Sequence, residues 1–310
     1  MGQRDYFEKK PTLGQNNNAL VILFAINAFL FVILNFLKIV FLLDGLGEAA
    51  EQVFQKKILY WFTLSAKPSE LLYKPWTLLT YMFSNYSIWG FVSNMLWLWA
   101  FGYVLQDLVG NKKLIPIYLF GGFFGGVFYV ITTALFPSIQ QSIYSGFLYE
   151  GSGAAVLAVA VATTILSPNY RIYQHIGSGF SLWILGLFFL AIDIASIAYS
   201  GNTAMLISHL TAGIIGFVYV KQLQAGKDWG SWIYNFAYWV DDLFNPGKKH
   251  QKVRQMDRVF YKAKEPVFSK TPNVTEKRVD ELLDKISKLG YNRLTKEEKD
   301  FLDRAAKESD

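Results

Sequence analysis

The stretch YEGSGAAVLAVAVATTIL, residues 149–166, sets a glycine-flanked serine at the mouth of a hydrophobic helix, two residues after a glutamate. Two readings of Ser152 compete. As a helix N-cap it accepts a hydrogen bond from a backbone N–H left unpaired in the first turn, and Glu150 sits favourably beside the positive helix end. As a nucleophile it needs a base from elsewhere in the chain. The residues around it have to decide.

Outward from this helix the chain is apolar for most of its 310 residues. Leu, Ile, Val, Phe, Ala and Gly dominate from about Ala19 to Leu223, and a polar, lysine-rich tail follows. Six runs approach or exceed the roughly 20 residues a helix needs to cross a bilayer: 19–43, 88–108, 114–136, 151–167, 181–199 and 204–223. The first is too long for the apolar region of a signal peptide, and no A-x-A-like site follows it. There is no cysteine, which excludes disulfides, thiolate metal sites and cysteine nucleophiles. No metal site or cofactor is expected. The net charge of +6 resides mainly in the tail and short loops, the pattern of a membrane protein with cytoplasmic lysines rather than a nucleic-acid binder.

Basic residues alternate along the chain. Arg4, Lys9, Lys10, Lys112, Lys113 and Arg171 mark one side, while 137–150 and 200–203 carry none. Both termini are therefore expected in the cytoplasm. The loop 44–87 runs against the pattern with Lys56, Lys57, Lys67 and Lys74. Its Trp61, Phe62, Tyr73 and Trp76 suggest a segment partly folded into the interface.

Polar groups inside a bilayer are costly and usually face the bundle interior. Asn94, Ser152 and His209 belong to the second, fourth and sixth runs, all at the expected outer end; Asp193 is late in the fifth. A serine, a histidine and an amide at one depth are the parts of a serine hydrolase. The histidine takes the serine proton and returns it to the leaving amine; the amide, with the Ser152 backbone N–H, holds the oxyanion. Taken singly, His209 and Asn94 also fit as hydrogen-bonding glue between helices. Gly151, Gly153 and the alanines after them, with Ser208, Ala212 and Gly216 at four-residue spacing, allow close backbone approach. That is generic small-residue packing as well.

Over residues 75–220, KPWTLLTYMFSNYSIWGFVSNMLW, EGSGAAV and SHLTAGIIG together resemble the rhomboid family of intramembrane serine proteases. The resemblance implies an all-α, six-transmembrane-helix bundle. It also implies Ser152 as nucleophile, His209 as general base and acid, and Asn94 as oxyanion-hole donor. The implied enzyme cuts transmembrane segments near the outer membrane face with a Ser–His dyad, leaving Asp193 a structural role. Four positions depart from the family pattern: Gly90 stands for the usual histidine before Asn94, Glu150 for the first glycine of Gly-x-Ser-Gly, Thr77 for an arginine, and Val156 for an aromatic residue that stacks on the histidine. A carboxylate at 150 would oppose an oxyanion unless it points to water.

The expected organisation is a cytoplasmic segment (1–18), the membrane domain (19–223), an interfacial amphipathic helix (224–246), a basic linker (247–273) and a helical hairpin (274–310). Trp229, Trp232, Phe236, Trp239, Leu243 and Phe244 supply the helix's apolar face. The hairpin carries a stripe of Val279, Leu282, Leu283, Ile286 and Leu289, with Thr295 and Glu298 as a capping box. It looks like the module attached to rhomboids of the Bacteroidetes type. The expected setting is a bacterial inner membrane, with lipid and transmembrane proteins as partners, no nucleic acid, and an oligomeric state left open. The alternative is a catalytically inactive rhomboid-like protein that binds membrane helices; a solute transporter is weaker, since no inverted repeat is visible.

Overall fold

The computed structural model describes residues 18–43, 49–136, 148–172, 179–236 and 276–308. The protein is an all-α membrane protein. Among the described residues, five helices are long and apolar enough to cross a bilayer: α1 (Ala19–Leu43), α3 (Ile88–Val109), α4 (Leu114–Leu135), α6 (Leu182–Ser200) and α7 (Thr203–Gln224). A short helix, α2 (Ala49–Lys57), follows α1. The fourth apolar run forms α5 (Gly153–Leu166), only 14 residues and therefore about 21 Å long, against a hydrocarbon core of about 30 Å. It needs no contact with lipid over most of its surface, because α3, α4, α6 and α7 all pack on it. Its small residues explain this position. Ala154, Ala155, Ala158, Ala160 and Ala162 are buried and let the neighbouring backbones close in.

The other helices turn apolar side chains outward, as lipid-facing surfaces do. Phe29, Leu43, Ile88, Trp89, Leu187 and Phe188 are all exposed. A two-residue antiparallel pair, β1 (Arg171–Ile172) with β2 (Phe180–Ser181), leads into α6.

The segment before α3 is folded, and it buries one of the four lysines that run against the expected charge pattern. Lys74 is 2% exposed, its Nζ donates to the Tyr60 carbonyl at 2.8 Å and lies 3.1 Å from the Tyr60 ring centroid, and Glu70 is 3.6 Å away. Burial lowers the Lys74 ammonium pKa, while Glu70 opposes that shift. Trp61 and Trp76 stack nearby, both about half exposed, as aromatics at a membrane interface do.

The described part of the expected interfacial helix, residues 231–236, follows a loop pinned by Asp228. That carboxylate pairs with Lys113 at 2.6 Å and accepts from the Tyr219 hydroxyl at 3.1 Å. Trp229, Trp232 and Phe236 are exposed. Trp239, Leu243, Phe244 and the linker lie outside the described residues.

The chain divides into two compact units, Met1–Gln251 and Lys252–Asp310. In the second, α8 (Glu276–Leu289) and α9 (Lys296–Glu308) form the hairpin. The capping box is made in full. The Thr295 N–H donates to Glu298 Oε2 at 2.9 Å and the Glu298 N–H to Thr295 Oγ1 at 3.3 Å. Of the expected stripe, Leu282 is buried but Leu283 is 52% exposed; Leu294, between the helices, takes the second buried place.

Candidate active site

Ser152 occupies the N-cap position of α5, yet its side chain makes no capping hydrogen bond. The residue is fully buried, and its Oγ lies 3.3 Å from Asn85 Nδ2 and 3.4 Å from Asn85 Oδ1. The hydroxyl is thus held by a side chain from the preceding loop and not spent on its own helix. Gly151 has φ +96°, in the left-handed region that favours glycine, and its N–H donates to the Tyr81 carbonyl at 2.9 Å. The Gly151–Ser152 peptide is docked along the loop 81–85.

Asn85 is the hub of the site. Its Oδ1 accepts from Asn94 Nδ2 at 2.9 Å and from the Ser152 backbone N–H at 3.2 Å. Its Nδ2 donates to Asn27 Oδ1 at 2.9 Å as well as to Ser152 Oγ. Asn94 and the Ser152 N–H, one from α3 and one from the head of α5, therefore converge on a single oxygen. Two preorganised N–H donors aimed at one oxygen are what an oxyanion hole requires, and Asn85 Oδ1 stands where such an oxygen would be held.

Sequence reasoning missed Asn85 because it lies in a loop, outside every apolar run. It also passed over Asn27, fully buried in α1, whose Nδ2 donates to Tyr118 Oη at 3.2 Å. An asparagine inside a 25-residue apolar helix was the available signal.

His209 is 2% exposed on α7. Its ring lies over Gly153, where an added Cβ would come within 2.7 Å of Cε1 and 3.3 Å of Nε2. Only glycine fits there. The same side of the helix meets Asn94, whose Oδ1 would be 3.8 Å from that Cβ. Three helices thus bring Ser152, His209 and Asn94 around one glycine. Ser152 and His209 are not hydrogen-bonded to each other. The ring's other nitrogen, Nδ1, lies 2.8 Å from Asp193 Oδ2 on α6.

The family's aromatic position after the serine holds Val156, which is buried in α5. Tyr149 brings an aromatic ring near the histidine without stacking on it. It is pinned by paired backbone hydrogen bonds to Leu64, stacks on Tyr129 at 4.4 Å, bonds Ser208 Oγ at 2.8 Å and lies 6.4 Å from the His209 ring. Gly90 sits in the first turn of α3, its N–H 3.5 Å from the capping Ser87 hydroxyl. Among the described residues, no group of three or more His, Cys, Asp or Glu converges to hold a metal.

Glu150 is only partly exposed. Its Oε2 is buried and has no hydrogen-bond partner. Burial pushes its carboxyl well above the ordinary value of 4.5, against an opposing pull from the Lys38 ammonium. The shift favours the neutral form, which opposes an oxyanion less than a carboxylate does. Because the folded-state value is raised, its stabilising contribution is complete below the unfolded-state value. It is lost as the pH climbs toward the folded-state value. The melting temperature of the wild type is therefore expected to fall as the pH rises above the ordinary carboxylate range, and that of Glu150→Gln to fall less. Equal slopes in a thermal-unfolding series would show that Glu150 does not carry this dependence.

The site defines a class: a helical membrane protein with a polar cluster sunk at the head of its central helix. The membrane part of the chain is a rhomboid domain. Residues 73–224 match the Rhomboid domain. Residues 264–308 match a family of unknown function (DUF6576), a match that begins inside the expected linker and runs through the hairpin. Two relatives come from Arabidopsis thaliana. The mitochondrial RHOMBOID-like protein 12 is 26% identical over 158 residues, 49% of this chain and 47% of that protein. The mitochondrial RHOMBOID-like protein 6 is 31% identical over 153 residues, 49% of this chain and 46% of that protein. The chain thus spans just under half the length of each.

Proposed function

We propose that this rhomboid is an intramembrane serine protease that cuts transmembrane segments of membrane proteins near the outer face of a bacterial inner membrane, with both its termini cytoplasmic. Ser152 is the nucleophile, His209 the general base and acid, and Asn94 an oxyanion donor. The observation that carries this reading is the Ser152 hydroxyl itself. It stands at a helix N-cap without capping, beside a histidine ring seated on the next residue.

For reaction, the Ser152 side chain rotates from Asn85 toward His209 Nε2, which takes the hydroxyl proton as Oγ bonds to the scissile carbonyl carbon. The carbonyl oxygen, now an oxyanion, replaces Asn85 Oδ1 against Asn94 Nδ2 and the Ser152 N–H. As the tetrahedral intermediate collapses, the C–N bond breaks and the imidazolium passes its proton to the departing amine. Water, deprotonated by the same nitrogen, then hydrolyses the acyl ester and regenerates the hydroxyl. The membrane domain (19–223) does this chemistry; the segment 1–18, the interfacial helix, the linker and the hairpin (274–310) serve placement and docking.

One observation favours the second reading, an inactive rhomboid-like protein that binds membrane helices: Ser152 bonds to Asn85 rather than to His209. Purified protein in liposomes with a single-span reporter separates the two. Protease activity gives two fragments cut near one end of the reporter's span. Co-purification of uncut reporter with both wild type and Ser152→Ala would establish the binder.

A further inference from the structure

We infer that Asp193 is a positioning residue for His209: it fixes the ring's tautomer and orientation so that Nε2 faces the Ser152 side of the site. This rests on the protease reading above and adds to the dyad a third group that the family resemblance leaves out. The geometry is two-sided. Asp193 Oδ2 lies 2.8 Å from Nδ1, and Nε2 is the ring nitrogen beside Gly153, next to Ser152. An ionised carboxylate only accepts hydrogen bonds, so the proton on that contact belongs to Nδ1. The neutral ring then keeps its lone pair on Nε2, the atom that must take the serine proton.

The cost of the arrangement argues that it does something. Asp193 is the only charged residue in α6, an otherwise apolar helix that packs on its neighbours less than any other span. Aspartate is among the most costly residues to insert there, and intramembrane acids pair with a partner when they occur. The partner here is a buried ring. Gly153 leaves room for the Cε1–Nε2 edge of the imidazole, and the Asp193 contact at Nδ1 restrains rotation about the Cβ–Cγ bond. Helix packing alone would have been satisfied by a leucine at 193.

The chain contains three histidines, and His175 and His250 lie outside the described residues. With His175→Gln and His250→Gln, the full-length protein in micelles has a single imidazole to observe by nitrogen-15 NMR. The expected spectrum shows a slowly exchanging Nδ1–H at low field and an unprotonated Nε2. Asp193→Asn is expected to lose that signature and to slow phosphonylation of Ser152 by a fluorophosphonate probe roughly 10²- to 10⁴-fold, the range seen when the orienting acid of a serine hydrolase is neutralised. Asp193→Glu, which keeps a carboxylate, should recover part of the rate. A wild-type ring protonated on Nε2 would overturn the inference without any variant having to fold. So would an Asp193→Asn protein with unchanged spectrum and rate. Wild-type protein that shows the signature but is never labelled defeats the protease reading alone, and the positioning of the ring by Asp193 stands.

Discussion

Hydrolysis of a transmembrane reporter is expected to fall by roughly 10⁴- to 10⁶-fold in Ser152→Ala and by a similar factor in His209→Ala. The double variant should be no slower than the slower single one. The reason is that Oγ and Nε2 act as one device: without the base the hydroxyl stays a poor nucleophile, and without the hydroxyl the base has no proton to take. Residual cleavage would come from the oxyanion donors and substrate positioning, which neither substitution touches. Stability separates this outcome from a structural role. Serine-to-alanine at a working N-cap costs about 1 kcal/mol, but the Ser152 hydroxyl caps nothing and its contacts to Asn85 are long, 3.3 and 3.4 Å. Ser152→Ala should therefore melt close to wild type. Additive losses in the two single variants, or a melting shift in proportion to the rate loss, would mean that these residues hold helices together.

The second large effect concerns backbone separation. A Cβ at Gly216 would lie 2.3 Å from the Ala158 carbonyl oxygen, and one at Gly121 would lie 2.2 Å from the Ala158 Cβ. Both contacts are far inside van der Waals distance, so α5 is gripped at one residue from two sides. Gly216→Ala is expected to cost about 3 kcal/mol, at the upper end for overpacking, because the obstacle is backbone and cannot rotate away. Activity should fall with it, by about 10²-fold for a displacement on the order of 1 Å, since Gly216 and His209 share α7 and Ala158 shares α5 with Gly153. Gly213→Ala provides the control, for its Cβ would meet Val161 Cγ2 at an ordinary 3.5 Å. Gly121→Ala should be rescued by Ala158→Gly, which removes the opposing methyl and leaves 3.6 Å to the Cα; Gly216→Ala should not be. Thermal unfolding of the three single variants and the two double variants with Ala158→Gly, in detergent, reads this pattern directly. Rescue of Gly216→Ala would place the clash at a side chain and refute the backbone argument.

The sequence by itself determined the membrane body and its central helix. Apolar run length, the solvation cost of an unpaired backbone and the price of polar groups in lipid leave few alternatives once Ser152, His209 and Asn94 appear among such residues. It also carried the hairpin's capping box, because a capping box is written in residues three apart. What it did not carry was every contact between residues distant in the chain. Whether Ser152 caps its helix or faces another group depends on the loop at Asn85, 67 positions away. Whether Glu150 meets water depends on how deeply the chain before α5 is buried, and burial there favours its neutral form. The pairing of Asp193 with His209 turned on which face of α6 meets α7, a rotation that an almost uniformly apolar helix does not encode in its periodicity. Chain-local patterns report on local hydrogen bonds and on solvent; the partner of a buried polar side chain is chosen by packing, and only the tertiary structure settles it.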